Sequence, residues 1–202
     1  MIGVDEAGRG PLAGPVAVGI VMVPARFNIR KAFPGVADSK KLTAAKREAI
    51  YTLLEQKAKE SDQVRYMVVF ASAKLIDEKG ISYAVRQAVA RGVRALAPVA
   101  ARGGRSSVTA GDVRVLLDGL LHAPLQYEQS TIVRGDVSEP VISLASIVAK
   151  VRRDRLMSRL ATRYPFYGFD VHKGYGTHAH YEAIQKHGTC AIHRRSFGLQ
   201  MY

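Results

Sequence analysis

The sequence predicts an α/β layered domain over residues 1–160, followed by a helical part over residues 161–202 behind a soft boundary. Three observations predict it. Short apolar runs closed by Gly, Pro or Asp alternate with longer stretches of helical spacing, which is the order of a layered α/β chain. The composition is that of a globular protein, 48% hydrophobic and 23% charged with a mean hydropathy of -0.02, not that of a disordered, collagen-like or coiled-coil chain. Beyond Tyr164 the text becomes dense in Tyr, Gly and His. At 202 residues the chain is long enough for one core with a smaller helical appendage.

Element by element, Ile2-Gly3-Val4, a Gly/Pro-rich turn over residues 7–15 and the run over residues 16–23 read as strand, tight turn, strand. Residues 42–59 have helical spacing with Thr43 as cap, and residues 64–70 form a β-rich run. Residues 72–96 are helical, with Ile76, Ala84, Val85, Ala88, Val89 and Leu96 as apolar positions and Gly80 as a break. Residues 98–111, rich in Gly, Ser, Ala and Arg, read as a loop. A short strand over residues 113–117 then ends at Asp118-Gly119. Residues 140–162 are helical again: Leu144, Ile147, Val148 and Val151 face the core, and Ser143, Ser146 and Lys150 share another face. We find no internal repeat.

Thirty Lys plus Arg against seventeen Asp plus Glu leave a net charge of +13, and a pI near 10.1 calls for a polyanionic partner, nucleic acid or an anionic surface. The single Cys190 allows no intramolecular disulfide and fits a reducing compartment. The apolar run over residues 16–23 is far short of the ~20 residues a bilayer-spanning helix needs. It is not a signal peptide either, since Asp5, Glu6 and Arg9 precede it. We therefore expect a soluble, cytoplasmic protein without membrane attachment.

Four carboxylates stand at element ends: Asp5 and Glu6 beside the glycine-rich turn, Asp118 at the close of a strand, and Asp136 before a helix. Each has an ordinary explanation alone, as a solvated pair, an Asp-Gly turn or a helix cap. Together, in a strongly basic chain, they suggest a cup that needs hard divalent cations to stay ionised, and a parallel neighbour of the first strand would set Asp118 beside Asp5. Such a cup in a basic surface suits a phosphodiester. A zinc reading of His187, Cys190 and His193, with His178 or His180, is weaker, because paired cysteines are lacking.

The opening Met-Ile-Gly-Val-Asp5-Glu6-Ala-Gly8-Arg9-Gly10-Pro-Leu-Ala-Gly14-Pro-Val resembles the signature of ribonuclease HII, the type 2 ribonuclease H family. The resemblance continues through Asp38-Ser-Lys40-Lys41-Leu, Leu117-Asp118-Gly119, Gly135-Asp136, the stretch from Ile142 to Asp154, Tyr164-Pro-Phe-Tyr-Gly168-Phe, His172-Lys-Gly-Tyr175-Gly-Thr177 and His193-Arg194-Arg195-Ser-Phe197. These blocks keep the family's order over almost the whole chain.

The resemblance implies a ribonuclease H-like mixed β-sheet flanked by helices, with helices added at the C-terminus. It implies that Asp5, Glu6, Asp118 and Asp136 hold Mg²⁺ or Mn²⁺ for two-metal phosphodiester hydrolysis. Asp154 competes for the fourth place; Asp136 is preferred because bacterial members keep the last acid in a Gly-Asp pair soon after the third, and an Arg153–Asp154 surface pair accounts for Asp154. The implied activity is cleavage of the RNA strand of RNA–DNA hybrids and incision 5′ of a ribonucleotide embedded in duplex DNA, by a monomer. Gly8, Arg9 and Gly10 would sense the 2′-hydroxyl, and Tyr175 would pack on the sugar of the next deoxynucleotide. Ser143, Ser146, Lys150, Lys40, Lys41, Arg194 and Arg195 would line the phosphate track. A non-catalytic binding module and a nuclease acting on plain DNA remain the alternatives. The chain departs from many family members at Leu120, where they carry Asn, and the loop over residues 98–111 carries no motif of the family.

Overall fold

The computed structural model describes residues 1–36, 42–97 and 113–198. Five strands form one mixed sheet in the order β3-β2-β1-β4-β5: β1 (Ile2–Ala7), β2 (Val16–Met22), β3 (Arg65–Ala71), β4 (Arg114–Asp118) and β5 (Glu128–Ile132). The first three pair antiparallel, and β4 and β5 add on parallel. β1 and β2 are covered on both faces, which is why they read as unbroken apolar runs rather than alternating ones.

The helices are α1 (Ile29–Ala32), α2 (Ala44–Glu60), α3 (Ala73–Lys79), α4 (Ile81–Leu96), α5 (Gly135–Ser138), α6 (Pro140–Arg163), α7 (Phe169–His172) and α8 (His178–His187). Thr43 caps α2 by accepting the Lys46 N–H, and Ser72 caps α3 by accepting that of Leu75. Gly80, at φ 82°, ends α3 and starts α4, so the predicted break is real. Pro140 occupies the first turn of α6, where its missing N–H costs nothing.

The sheet lies between two helical layers. On one face Val4, Val18 and Ile20 pack with Ala84, Val85, Ala88 and Val89 of α4. On the other, Val21 and Leu116 pack with Tyr51 and Leu54 of α2 and with Ile142, Leu144 and Ile147 of α6. Gly3 and Gly19 let α6 approach the sheet: a Cβ on Gly19 would lie 2.2 Å from the Ala145 carbonyl oxygen, and one on Gly3 2.3 Å from that of Val141. A third cluster, Ala13, Met157, Tyr167 and Phe169, fastens the C-terminal helices to the rest of the fold, and α6 runs unbroken through residue 160.

Among the described residues, no helix is long and apolar enough to cross a membrane.

Candidate active site

The site begins at the ends of two neighbouring parallel strands. Val4 pairs with Leu117, so continuing the register by one step sets Asp5 level with Asp118, as the sequence suggested. Asp5, Glu6, Gly8, Asp118, Ser146, Lys150 and Tyr175 line one cleft of about 410 Å³. Arg47 of α2 also lines it, a residue that sequence reasoning passed over among the many arginines. Asp136 is fully buried in the first turn of α5, where its N–H donates to Asp118 Oδ1 at 3.3 Å and its carbonyl accepts the Ser143 hydroxyl at 2.5 Å. It therefore stands behind Asp118, and it is not the cap of the long helix.

Burial pushes the Asp5 carboxyl up to about 8, with the like charges of Glu6 and Asp118 adding to the rise; hydrogen bonds from Ser146 and from the Glu6 N–H oppose it. Glu6 is also raised, first by burial and then by Asp118, against the pull of Arg9 at 3.5 Å. Its Oε2 is buried with no hydrogen-bond partner among the described residues. Lys150 is held by Asp154 at 2.9 Å. The cleft thus concentrates hard oxygen donors whose charge is incompletely balanced, a donor set that suits Mg²⁺ or Mn²⁺ rather than zinc. Among the described residues no three His, Cys, Asp or Glu side chains are already drawn together for one ion, at the acids or at the C-terminal histidines. A larger groove of about 680 Å³ runs between α2 and α6. There Arg155 pairs Glu48 and Glu55, and Lys150 pairs Asp154, so no carboxylate cluster is left needing a counter-ion.

The glycine-rich turn, residues 8–15, closes one side of the cleft. Gly8 has φ +90°, and a Cβ there would fall 2.0 Å from Arg153 Nε, so both backbone and space require glycine. Beneath the turn lie two buried arginines, Arg153 at 1% and Arg194 at 0% exposure. Arg194 donates to the carbonyls of Gly14 (2.9 Å), Arg9 (2.7 Å) and Gly8 (2.7 Å). Arg153 donates to those of Pro15 (3.0 Å), Lys173 (3.1 Å) and Ala13 (3.3 Å). Three expectations change. Arg194 is a brace under the turn rather than part of an exposed phosphate track, and Arg153 is a core residue rather than half of a surface pair with Asp154. Ser143, also buried, spends its hydroxyl on Asp136 instead of facing substrate. Ser146 and Lys150 do line the cleft, and Arg9 and Gly10 are exposed at its rim. Arg195 is exposed as well, its N–H donating to Asp77 together with the N–H and the hydroxyl of Ser196. Lys40 and Lys41 lie outside the described residues, as does the loop over 98–111.

Tyr175 stands opposite the turn, 44% exposed, with the Arg153 guanidinium 5.9 Å from its ring centre. Its loop is set by neutral histidines. Cys190 N–H donates to His193 Nδ1 at 2.9 Å, so the His193 proton sits on Nε2; that N–H donates to His180 Nε2 at 3.1 Å, and His180 Nδ1–H donates to the Tyr175 carbonyl at 2.9 Å. His172 Nε2 donates to the Tyr167 carbonyl at 2.6 Å while Nδ1 accepts the Gly174 N–H at 3.2 Å. Burial lowers the pKa of all three rings, His180 to about 4. No spacing rule in the sequence announces this relay. Leu120, the departure from the family, is 91% exposed just past Asp118.

Comparison with known proteins gives the chain a family and its fold neighbours. A family model described as Ribonuclease HII matches residues 2–200. A ribonuclease HII of Geobacillus kaustophilus is 42% identical over 195 residues, covering 96% of this chain and 66% of the relative. One of Ralstonia nicotianae is 44% identical over 197 residues, covering 98% and 76%. The chain therefore spans about two-thirds to three-quarters of the length of these relatives. Among solved structures, the ribonuclease H2 of Pyrococcus horikoshii superposes with a TM-score of 0.71 at 27% identity, over 98% of this chain and 93% of that one.

Proposed function

The chain belongs to the ribonuclease HII family, the type 2 ribonuclease H endonucleases, and from that premise we propose that it is a divalent-metal-dependent nuclease of RNA–DNA hybrids. It cleaves the RNA strand and also incises 5′ of a single ribonucleotide embedded in duplex DNA, leaving a 5′-phosphate and a 3′-hydroxyl. The observation that carries the reading is the meeting of Asp5, Glu6 and Asp118 in one cleft, where burial and the neighbouring acids raise Asp5 to about 8, in a chain of net charge +13.

Asp5, Glu6, Asp118 and Asp136 would hold the ions. The raised Asp5 and the orphaned, buried Glu6 Oε2 fit that role, because a bound cation keeps both ionised. Divalent ions bound there supply activation of the attacking water and stabilisation of the leaving 3′-oxygen. The protein's own groups do the rest. Ser146 steadies Asp5, and the Asp136 N–H steadies Asp118. Lys150 and Arg47 add positive charge to the cleft wall beside the phosphate. The backbone of Gly8, Arg9 and Gly10 meets the ribose, and the half-exposed Tyr175 packs on the following sugar. The partner is nucleic acid; we read the enzyme as a cytoplasmic monomer, in keeping with its lone cysteine.

The test is incubation with Mg²⁺ or Mn²⁺ and a duplex carrying one ribonucleotide. A cut on its 5′ side, abolished by EDTA, is expected; an intact strand under both metals refutes the function. Replacing the ribonucleotide with a deoxyribonucleotide must stop cleavage, which separates this enzyme from a nuclease of plain DNA.

A further inference from the structure

Arginine carries five N–H donors and no acceptor, and burying its charge is costly unless those donors are met. Arg194 and Arg153 are both buried, and among the described residues neither has a carboxylate partner within ion-pair distance; their bonds go to six backbone carbonyls. The two like charges also disfavour each other: burial and then Arg153 lower Arg194 to about 10. Such an arrangement is expensive for a fold that only needed a tight turn.

Its geometric effect is specific. No peptide bond here is cis, so each N–H points away from the preceding carbonyl. Because the Gly8 and Arg9 carbonyls turn inward to Arg194, the N–H groups of Arg9 and Gly10 turn outward. Both residues are exposed, and a Cβ on Gly10 would meet no atom within 4 Å. Two successive outward N–H donors form a cradle for an oxygen with lone pairs. Arg153 ties the same turn, through Ala13 and Pro15, to Lys173 beside Tyr175.

We propose that Arg194 is a positioning residue for ribose discrimination, aiming the Arg9 and Gly10 N–H groups at the 2′-oxygen without touching the nucleic acid itself. This deepens the function proposed above and rests on it. A lysine, a single point donor, cannot span the three carbonyls the planar fork reaches.

The experiment measures affinity in EDTA for a duplex with one ribonucleotide and for its all-DNA counterpart, in wild type and Arg194→Lys, across a salt series. Wild type is expected to favour the ribonucleotide duplex, and R194K to lose about tenfold of that preference, the worth of one good hydrogen bond, with an unchanged salt slope. If R194K keeps the wild-type preference, or weakens both duplexes equally with a salt slope shallower by about one, the inference is overturned and Arg194 is structural or a phosphate contact. If wild type binds the two duplexes alike, the functional reading itself falls. Should R194K not fold, NMR of the wild-type protein decides. The Arg194 Nε–H should exchange slowly and keep its shift when duplex is added, while the Arg9 and Gly10 amides shift more with the ribonucleotide duplex than with DNA. An Arg194 Nε–H that shifts on binding overturns the proposal.

Discussion

Acidification should unfasten the Tyr175 loop, because the His193–His180–Tyr175 relay works only with neutral rings. His180 is fully buried, and burial, with His172 and His193 adding, lowers its pKa from 6.5 to about 4. The folded state therefore binds fewer protons than the unfolded state between pH 4 and 6.5. Stability from this group is complete above pH 6.5 and drains away as the pH falls towards 4. At pH 5 the loss from His180 alone is about 2 kcal/mol, or roughly 4–8 °C in Tm for a chain of this size. The groups facing the ring are His172, stacked at 4.5 Å, His193 and Phe169; Asp170 and Lys173 reach His172 with opposite effects. The assay compares Tm at pH 7.5 and pH 5.0 in wild type and His180→Asn, whose amide nitrogen takes the place of Nδ1, the atom that donates to the Tyr175 carbonyl. H180N should lose several degrees less than wild type over that interval. Equal losses in the two proteins would refute the relay.

Asp5→Asn should cost cleavage about 10²–10³-fold or more while duplex binding in EDTA stays within a few-fold; a variant that still cuts normally contradicts the assignment. Gly19→Ala drives a Cβ into the Ala145 carbonyl and the Ala149 nitrogen, and α6 must move, so a loss of about 3 kcal/mol is expected by chemical denaturation. Asp77→Ala removes the acceptor of three hydrogen bonds from Arg195 and Ser196. These are exposed, so stability should fall by only about 1 kcal/mol, but amide exchange over residues 194–197 should quicken; unchanged exchange contradicts the anchoring role.

The sequence announced the parts of this molecule whose residues are chosen by burial or by turns. The apolar runs of β1, β2, β3 and β4, the capped α2, the Gly80 break and the long α6 all carry such signals. β5, Glu-Gln-Ser-Thr-Ile, was not foreseen, because a short strand at the sheet edge needs no apolar face and its composition reads as loop. Asp5, Glu6 and Asp118 each have an ordinary explanation alone, and only their combination at element ends in a basic chain, with the motifs they fall in, makes them legible. Arg153, Arg194 and Ser143 were misjudged for one shared reason. A polar residue in the sequence carries no mark of whether backbone carbonyls or water will satisfy it, and here distant segments supply the carbonyls. The histidine relay was hidden likewise, since its direction follows from which ring nitrogen meets a carbonyl.

The brace under the glycine turn also orders events during synthesis. Gly8 and Arg194 are 186 positions apart, so at about 5–20 residues per second a ribosome delivers the turn roughly 10–40 s before the guanidinium that shapes it. Throughout that interval a nascent chain carries the turn and its glycines but not the underside that orients them. The turn's geometry thus waits on a segment translated long after it, and a polypeptide stalled short of residue 194 holds that turn without its brace.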